Sequence, residues 1–150
     1  MPIRCEIVSQ DRLIFEGDAD SVLLPGTEGE MGILPHHAPL LSTLSFGVIK
    51  VRYKNTEEIF TVAGGFVEVQ PDIVTVLADR AENVRKIDVA RAEAARLRAE
   101  TYLTEGPPPD SDAYLRMEAA LRRSRLRLDA VSRYRGGRRA NMPSMVDDRD

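Results

Sequence analysis

The feature that most constrains this chain is a change of residue chemistry near Asp79. Before it, short β-branched runs alternate with glycine and proline, whereas beyond it alanine, arginine, leucine and glutamate dominate. The first kind of segment suits a pleated, half-buried surface and the second is made of strong helix formers. A chain of 150 residues is long enough for a small β core with a helical appendage and too short for two full-sized cores.

The first half reads as strands at Ile3 to Val8, Leu13 to Phe15, Ser21 to Leu24, Val48 to Tyr53, Ile59 to Ala63, Phe66 to Val69 and Ile73 to Ala78. Turn signals at Pro25-Gly26, Lys54-Asn55, Gly64-Gly65 and Gln70-Pro71-Asp72 separate them at hairpin spacing. Brief, alternating and regularly interrupted, these runs predict an antiparallel all-β sandwich over residues 1–84.

A helix is expected from Asp88, which can cap its first turn, to Thr104, and Gly106-Pro107-Pro108-Pro109 ends it because proline cannot continue the backbone ladder. A second helix follows a Ser111 or Asp112 cap and runs to about Arg135. Its apolar seam, Tyr114, Met117, Leu121, Leu128 and Val131, is interrupted only by Ser124. The expected partner is the preceding helix, through Ala90, Ala94 and Leu97, in an antiparallel α-helical hairpin over residues 85–135. So thin a contact predicts a hairpin of low stability that can open. Residues 136–150 carry no periodicity and read as a disordered tail.

Charge is distributed unevenly. Residues 1–84 hold 6 basic and 13 acidic groups, while residues 116–139 hold 9 basic and 2 acidic ones. The late basic segment is therefore expected to meet an anionic partner. No run approaches the 18 or so apolar residues that span a bilayer, and Met1 to Glu6 is too charged for a secretory signal, so no membrane insertion is expected. The single cysteine, Cys5, alternates with Ile3 and Ile7 and reads as a core thiol. Adjacent His36 and His37 diverge on an extended segment without a third ligand, so no metal is expected.

The most distinctive stretch is Gly26-Thr27-Glu28-Gly29-Glu30-Met31-Gly32-Ile33-Leu34-Pro35-His36-His37-Ala38-Pro39-Leu40-Leu41. It resembles the glycine-rich loop and following run of the epsilon subunits of bacterial-type rotary ATP synthases. Ala63 to Val69 and Val74 to Asp79 resemble the same family's paired strands in the same order. One departure is His36, where that family often has glycine. The resemblance implies a non-catalytic rotor subunit of a proton-translocating F-type ATP synthase. The implied partners are the gamma subunit, the polar loops of the c ring, and the beta subunits, with alpha as a further candidate, when the arm extends. It implies a peripheral place on the cytoplasmic face of the bacterial plasma membrane. Glu30, Met31, Gly32 and His37 are the residues expected to meet the c ring, and Arg122, Arg123, Arg125 and Arg127 those expected to meet beta and inhibit hydrolysis.

Ile87-Asp88-Val89-Ala90-Arg91-Ala92 further resembles the ATP-binding segment of some of these subunits, with Glu82 and Arg98 at matching spacings. Arg91 and Arg98 share a helical face, as do Arg123 and Arg127. In a closed hairpin these guanidiniums can meet a triphosphate through paired, charge-assisted hydrogen bonds. No cofactor is required on this reading, ATP acts as a regulatory ligand, and magnesium is left open. The bland alternative is equally concrete, since Asp88 is a natural cap and arginine a good helix former. A stand-alone nucleotide-sensing module is the competing function. Nucleic acid is disfavoured because the arm carries only Tyr102, Tyr114 and Tyr134 as stacking platforms. No set of nucleophile, base and orienter stands out, so catalysis is not expected.

Overall fold

The computed structural model describes residues 1–135; the expected disordered tail, residues 136–150, lies outside them. The chain divides after Asn83 into two units.

The first unit is an eight-stranded β-sandwich. β1 (Ile3–Ser9), β2 (Arg12–Ala19), β3 (Ser21–Gly26), β4 (Gly29–Ile33), β5 (Leu40–Tyr53), β6 (Thr56–Gln70) and β7 (Ile73–Ala78) run in the order β2-β1-β7-β6-β5-β3-β4, and β8 (Ala81–Asn83) pairs with β6. All pairings are antiparallel except β1 with β7. Inward positions alternate along each strand and build one core, with Ile3, Ile7, Val22, Leu24, Ile49, Val62, Val67, Val74 and Val76 fully buried. Phe15 meets Phe60 within it at 5.3 Å between ring centroids. Cys5 is buried there as expected, and burial pushes its thiol up to about 12.

Three strand expectations change, besides the earlier start of β5, at Leu40 and not Val48. Gly64-Gly65 is no turn: β6 runs straight through it. Both glycines have positive φ, 88° and 134°, and a Cβ on Gly65 would lie 2.3 Å from the Leu77 carbonyl oxygen. The pair bends a continuous strand where a side chain cannot fit. Opposite the bend, the β5 ladder skips Ser45, resuming from Leu44 paired with Gly65 to Phe46 paired with Ala63. On the other edge of β6 the chain follows the same corner, with Asp79 N donating to Gly64 O and Ala63 N donating to Arg80 O. β5 and β6 thus pass from one layer of the sandwich to the other.

The second change is at Gly29 to Ile33, expected as loop, which forms β4 on the sheet edge against β3. Its glycines hid a strand whose alternation rests on Met31 and Ile33 alone. The third is β8, too short to carry a pattern of its own. The His36 departure also acquires a cause. His36 takes φ 68°, in the left-handed region that favours glycine, and its N–H donates to Pro71 O.

In the second unit a single 3₁₀ turn, Val84–Lys86, leads to α1 (Val89–Glu105) and α2 (Asp112–Ala130), and a widened π-helical turn, Val131–Arg135, continues α2. Asp88 caps α1, its Oδ1 accepting from Arg91 N, and Ser111 caps α2, its Oγ accepting from Tyr114 N. The expected contact face of α1 is wrong: Ala90, Ala94 and Leu97 are exposed, Leu97 at 59%. Ala92 and Ala99 are buried instead, with Ala95 and Leu103 half-buried beside them. Ser124 is not an interruption of the α2 seam but its most buried point, its hydroxyl donating to Ala120 O at 2.9 Å. Small side chains at 92, 99 and 124 allow the backbones to approach, and a larger apolar residue such as Leu97 is left outside.

Candidate functional site

The outer face of the sandwich carries apolar side chains where polar ones are the rule. Phe66 on β6 pairs with Leu77 on β7, Leu77 with Val8 on β1, and Val8 with Leu13 on β2. Phe66, Leu77 and Leu13 are each more than half exposed, and Leu41 on β5, diagonal to Phe66, is 73% exposed. Cross-strand partners stand about 5 Å apart, so this is one contiguous apolar row over four strands. Their chain neighbours Val67, Val76 and Ile7 are the fully buried ones, which places the row on the face opposite the core. Sequence reasoning missed it. A continuous run such as Ile73 to Ala78 signals two apolar faces, but only the register aligns Phe66, Leu77, Val8 and Leu13.

The β3–β4 end offers a different surface. Alternation on β4 exposes Glu30 and Gly32 and turns Met31 inward against the core. Met31, expected beside them as a contact residue, is partly buried and packs against the core. His37 is half-buried, with its Nδ1 2.7 Å from Ala38 O.

On the hairpin the candidates separate by helical position. Arg96 binds both Glu93 and Glu100, at 3.1 and 2.9 Å, and Arg125 reaches Glu100 from α2 at 3.3 Å. These contacts hold the Glu100 carboxyl below the usual glutamate range, through the hydrogen bond from Arg96 first, opposed by partial desolvation, then that from Arg125. The Arg125–Glu100 pair closes one flank of the antiparallel helices. Arg91 and Arg98 sit one position before the buried Ala92 and Ala99, and Arg123 one before Ser124, so helical geometry puts them on the other flank. Arg127, one before Leu128, follows the same rule. Arg91 and Arg98 are exposed, Arg123 and Arg127 half-buried, and Arg122 and Arg125 exposed.

The helices leave an open cleft of about 920 Å³ lined by Leu97, Arg98, Tyr102, Glu105, Met117 and Ala120, among others. Of the expected nucleotide ligands only Arg98 lines it. Asp88 spends one carboxylate oxygen on the α1 cap, and Glu82 belongs to β8 of the first unit. A guanidinium beside an aromatic ring and aliphatic walls suits a flat apolar group bearing an anion. Among the described residues no three His, Cys, Asp or Glu side chains gather as metal ligands, and no helix is long and apolar enough to cross a membrane.

Comparison with known proteins matches both units to family models. Residues 2–84 match the β-sandwich domain of the ATP synthase delta/epsilon chain and residues 85–132 its long α-helix domain. The chain is 44% identical over 133 residues to the ATP synthase epsilon chain of Dehalococcoides mccartyi, covering 89% of this chain and 94% of that one. It is 42% identical to that of Halalkalibacterium halodurans, covering 87% and 98%. Among solved structures, a chain of the Euglena gracilis mitochondrial ATP synthase OSCP/F1/c-ring assembly superposes with a TM-score of 0.73 at 23% identity, covering 87% of this chain and 81% of that one. One of the Tetrahymena thermophila mitochondrial ATP synthase central stalk and c ring gives 0.55 at 17%, covering 85% and 93%.

Proposed function

Since the chain belongs to the ATP synthase delta/epsilon chain family, as a non-catalytic subunit of that complex, we propose that it is a rotor part of the central stalk with a regulatory arm. The observation that carries this reading is the apolar row of exposed Leu13, Leu77 and Phe66 with half-buried Val8 between them and exposed Leu41 beside it. A sheet surface of this kind gains by burial about 25 cal/mol for each Å² of apolar area removed from water, which fits a permanent protein partner. That partner is the gamma subunit. On this reading the Glu30 and Gly32 edge of β4 faces the polar loops of the c ring, and the subunit is peripheral at the cytoplasmic face of the membrane.

The arm acts as a population switch. Closed, the α1–α2 pair permits rotation; opened, it presents Arg122, Arg123, Arg125 and Arg127 to acidic segments of beta and blocks hydrolysis. ATP favours the closed form to the extent that it binds that form better. Support for a nucleotide on the closed form is the Arg98 and Tyr102 cleft and the placement of Arg91, Arg98, Arg123 and Arg127 on one flank.

One reconstitution tests these parts separately. Phe66→Asp with Leu77→Asp is expected to abolish co-purification with gamma, and unchanged association would overturn the stalk assignment. Truncation after Arg85 is expected to raise ATP hydrolysis by the complex; no rise would remove the regulatory role and leave coupling standing. In calorimetry on the free subunit, Arg98→Ala is expected to weaken ATP binding more than tenfold, and equal heats would reject the nucleotide.

A further inference from the structure

Arg135 occupies the next position of the α2 seam. Tyr114, Met117, Leu121, Ser124, Leu128, Val131 and Arg135 succeed one another at alternating spacings of three and four. Six of these positions pack or bury a small side chain, whereas the seventh is a guanidinium. Its terminal nitrogen Nη2 donates to two backbone carbonyls, Val84 O at 2.7 Å and Ile87 O at 2.8 Å. Both belong to the segment that enters α1, some fifty residues earlier in the chain, and both parent residues are buried, at 3% exposure.

Local chemistry explains the choice of partners. Val84 O closes the 3₁₀ turn, accepting a long 3.4 Å bond from Ile87 N, and Ile87 O lies just ahead of the Asp88 cap, outside the α1 ladder. Buried carbonyls without strong donors are costly, and a guanidinium suits the negative end of a helical turn. The Arg135 side chain is half-buried, and among the described residues its Nε, itself buried, finds no hydrogen-bond partner, so the two bonds of Nη2 are its polar anchors there.

We propose that Arg135 is a latch that fastens the end of α2 to the entry segment Val84–Ile87, and that the hairpin is held closed from this end. Elsewhere the most buried helix contacts are alanines and one serine, and the Arg125–Glu100 tie is partly exposed, so the buried hydrogen bonds that resist separation lie at the far end from the Gly106–Pro109 connection. Drawing α2 away breaks both bonds at once and leaves two carbonyls unpaired in the segment joining the arm to the sandwich. Closure of the helices and order in that segment are therefore one event.

The test is residue-resolved hydrogen exchange on the full free chain, comparing wild type, Arg135→Ala and Arg135→Met. Both substitutions are expected to speed exchange at Ile87, Ala92 and Val131 by about tenfold or more, the scale of a lost charge-assisted bond. Sandwich amides such as those of Val67 and Val76 should keep their rates and so report that the fold is intact. Unchanged exchange at Ile87 in Arg135→Ala would overturn the latch, as would Arg135→Met restoring wild-type rates, since the packed stem and not the donors would then be responsible. The readout needs no other subunit, so its failure is distinct from failure of the hydrolysis test.

Discussion

In the sandwich the interior is filled by large side chains, among them Phe60, Ile3, Ile7, Leu24, Ile33 and Ile49, all at 1% exposure or less. In the α1–α2 pair the buried positions are Ala92, Ala99, Ser124 and Ala130. Burying a large apolar side chain contributes about 1.5–3 kcal/mol, and a methyl or hydroxymethyl much less. Close backbone approach gains dispersion but removes little apolar area. The same chain thus holds one unit by depth of burial and the other by proximity and a few polar ties, of which Glu100 and Arg135 are the clearest. The proposed function, a body that stays folded under load and an arm that rearranges, calls for these two solutions.

The contrast can be broken most sharply in the sandwich. Phe60→Ala should lower its unfolding free energy by about 3–5 kcal/mol, read as a shift of the urea midpoint at constant slope. A loss below about 1 kcal/mol would mean that the core is not the close-packed element described. Next in size is Ala99→Leu, which forces a branched side chain into a fully buried position of the hairpin. It should destabilise the arm by about 1–3 kcal/mol, seen as faster amide exchange in α1 and α2 with sandwich amides unmoved. Equal acceleration in both units would show that they do not respond separately.

The smallest effect is electrostatic. Because Arg96 and Arg125 hold the Glu100 carboxyl below its ordinary value, its contribution is present above that ordinary value and fades as pH falls through the lowered one. Helical signal from the arm should weaken on acidification through this window, less so in Glu100→Gln, and salt should shrink the difference, since a third of the Glu100 side chain is exposed. A pH profile identical in the variant would remove Glu100 from the polar ties.

Much of this was legible from local pattern. The caps at Asp88 and Ser111, the proline stop and the inward alternation of most strands depend on neighbours within four residues. What escaped depends on long-range register. Two adjacent glycines permit a turn or a corner equally, and only the β5 ladder on one side and β7 and β8 on the other decide that Gly64-Gly65 is a corner. The face of α1 was misassigned because alanines at 90, 92, 94, 95 and 99 occupy several sides of the helix, and composition cannot rank them. Ser124 was read as a gap since its hydroxyl is polar, although a hydroxyl satisfied by the preceding turn costs little to bury. The apolar row needed the shift between Ile7 and Val8, which sets Val8 opposite Leu13.

The corner at Gly64-Gly65 has a mechanical consequence. In a sandwich of two separate sheets, layers resist sliding only through interdigitated side chains. Here two backbones cross between the layers, so a sideways force on the outer face travels along covalent bonds into the opposite layer. To shear the layers apart, the β5–β6 ladder itself would have to rupture along its length, many hydrogen bonds together. The sandwich therefore resists shear along its own β5–β6 ladder, whereas the arm, held by small side chains and a few polar ties, is the more compliant unit.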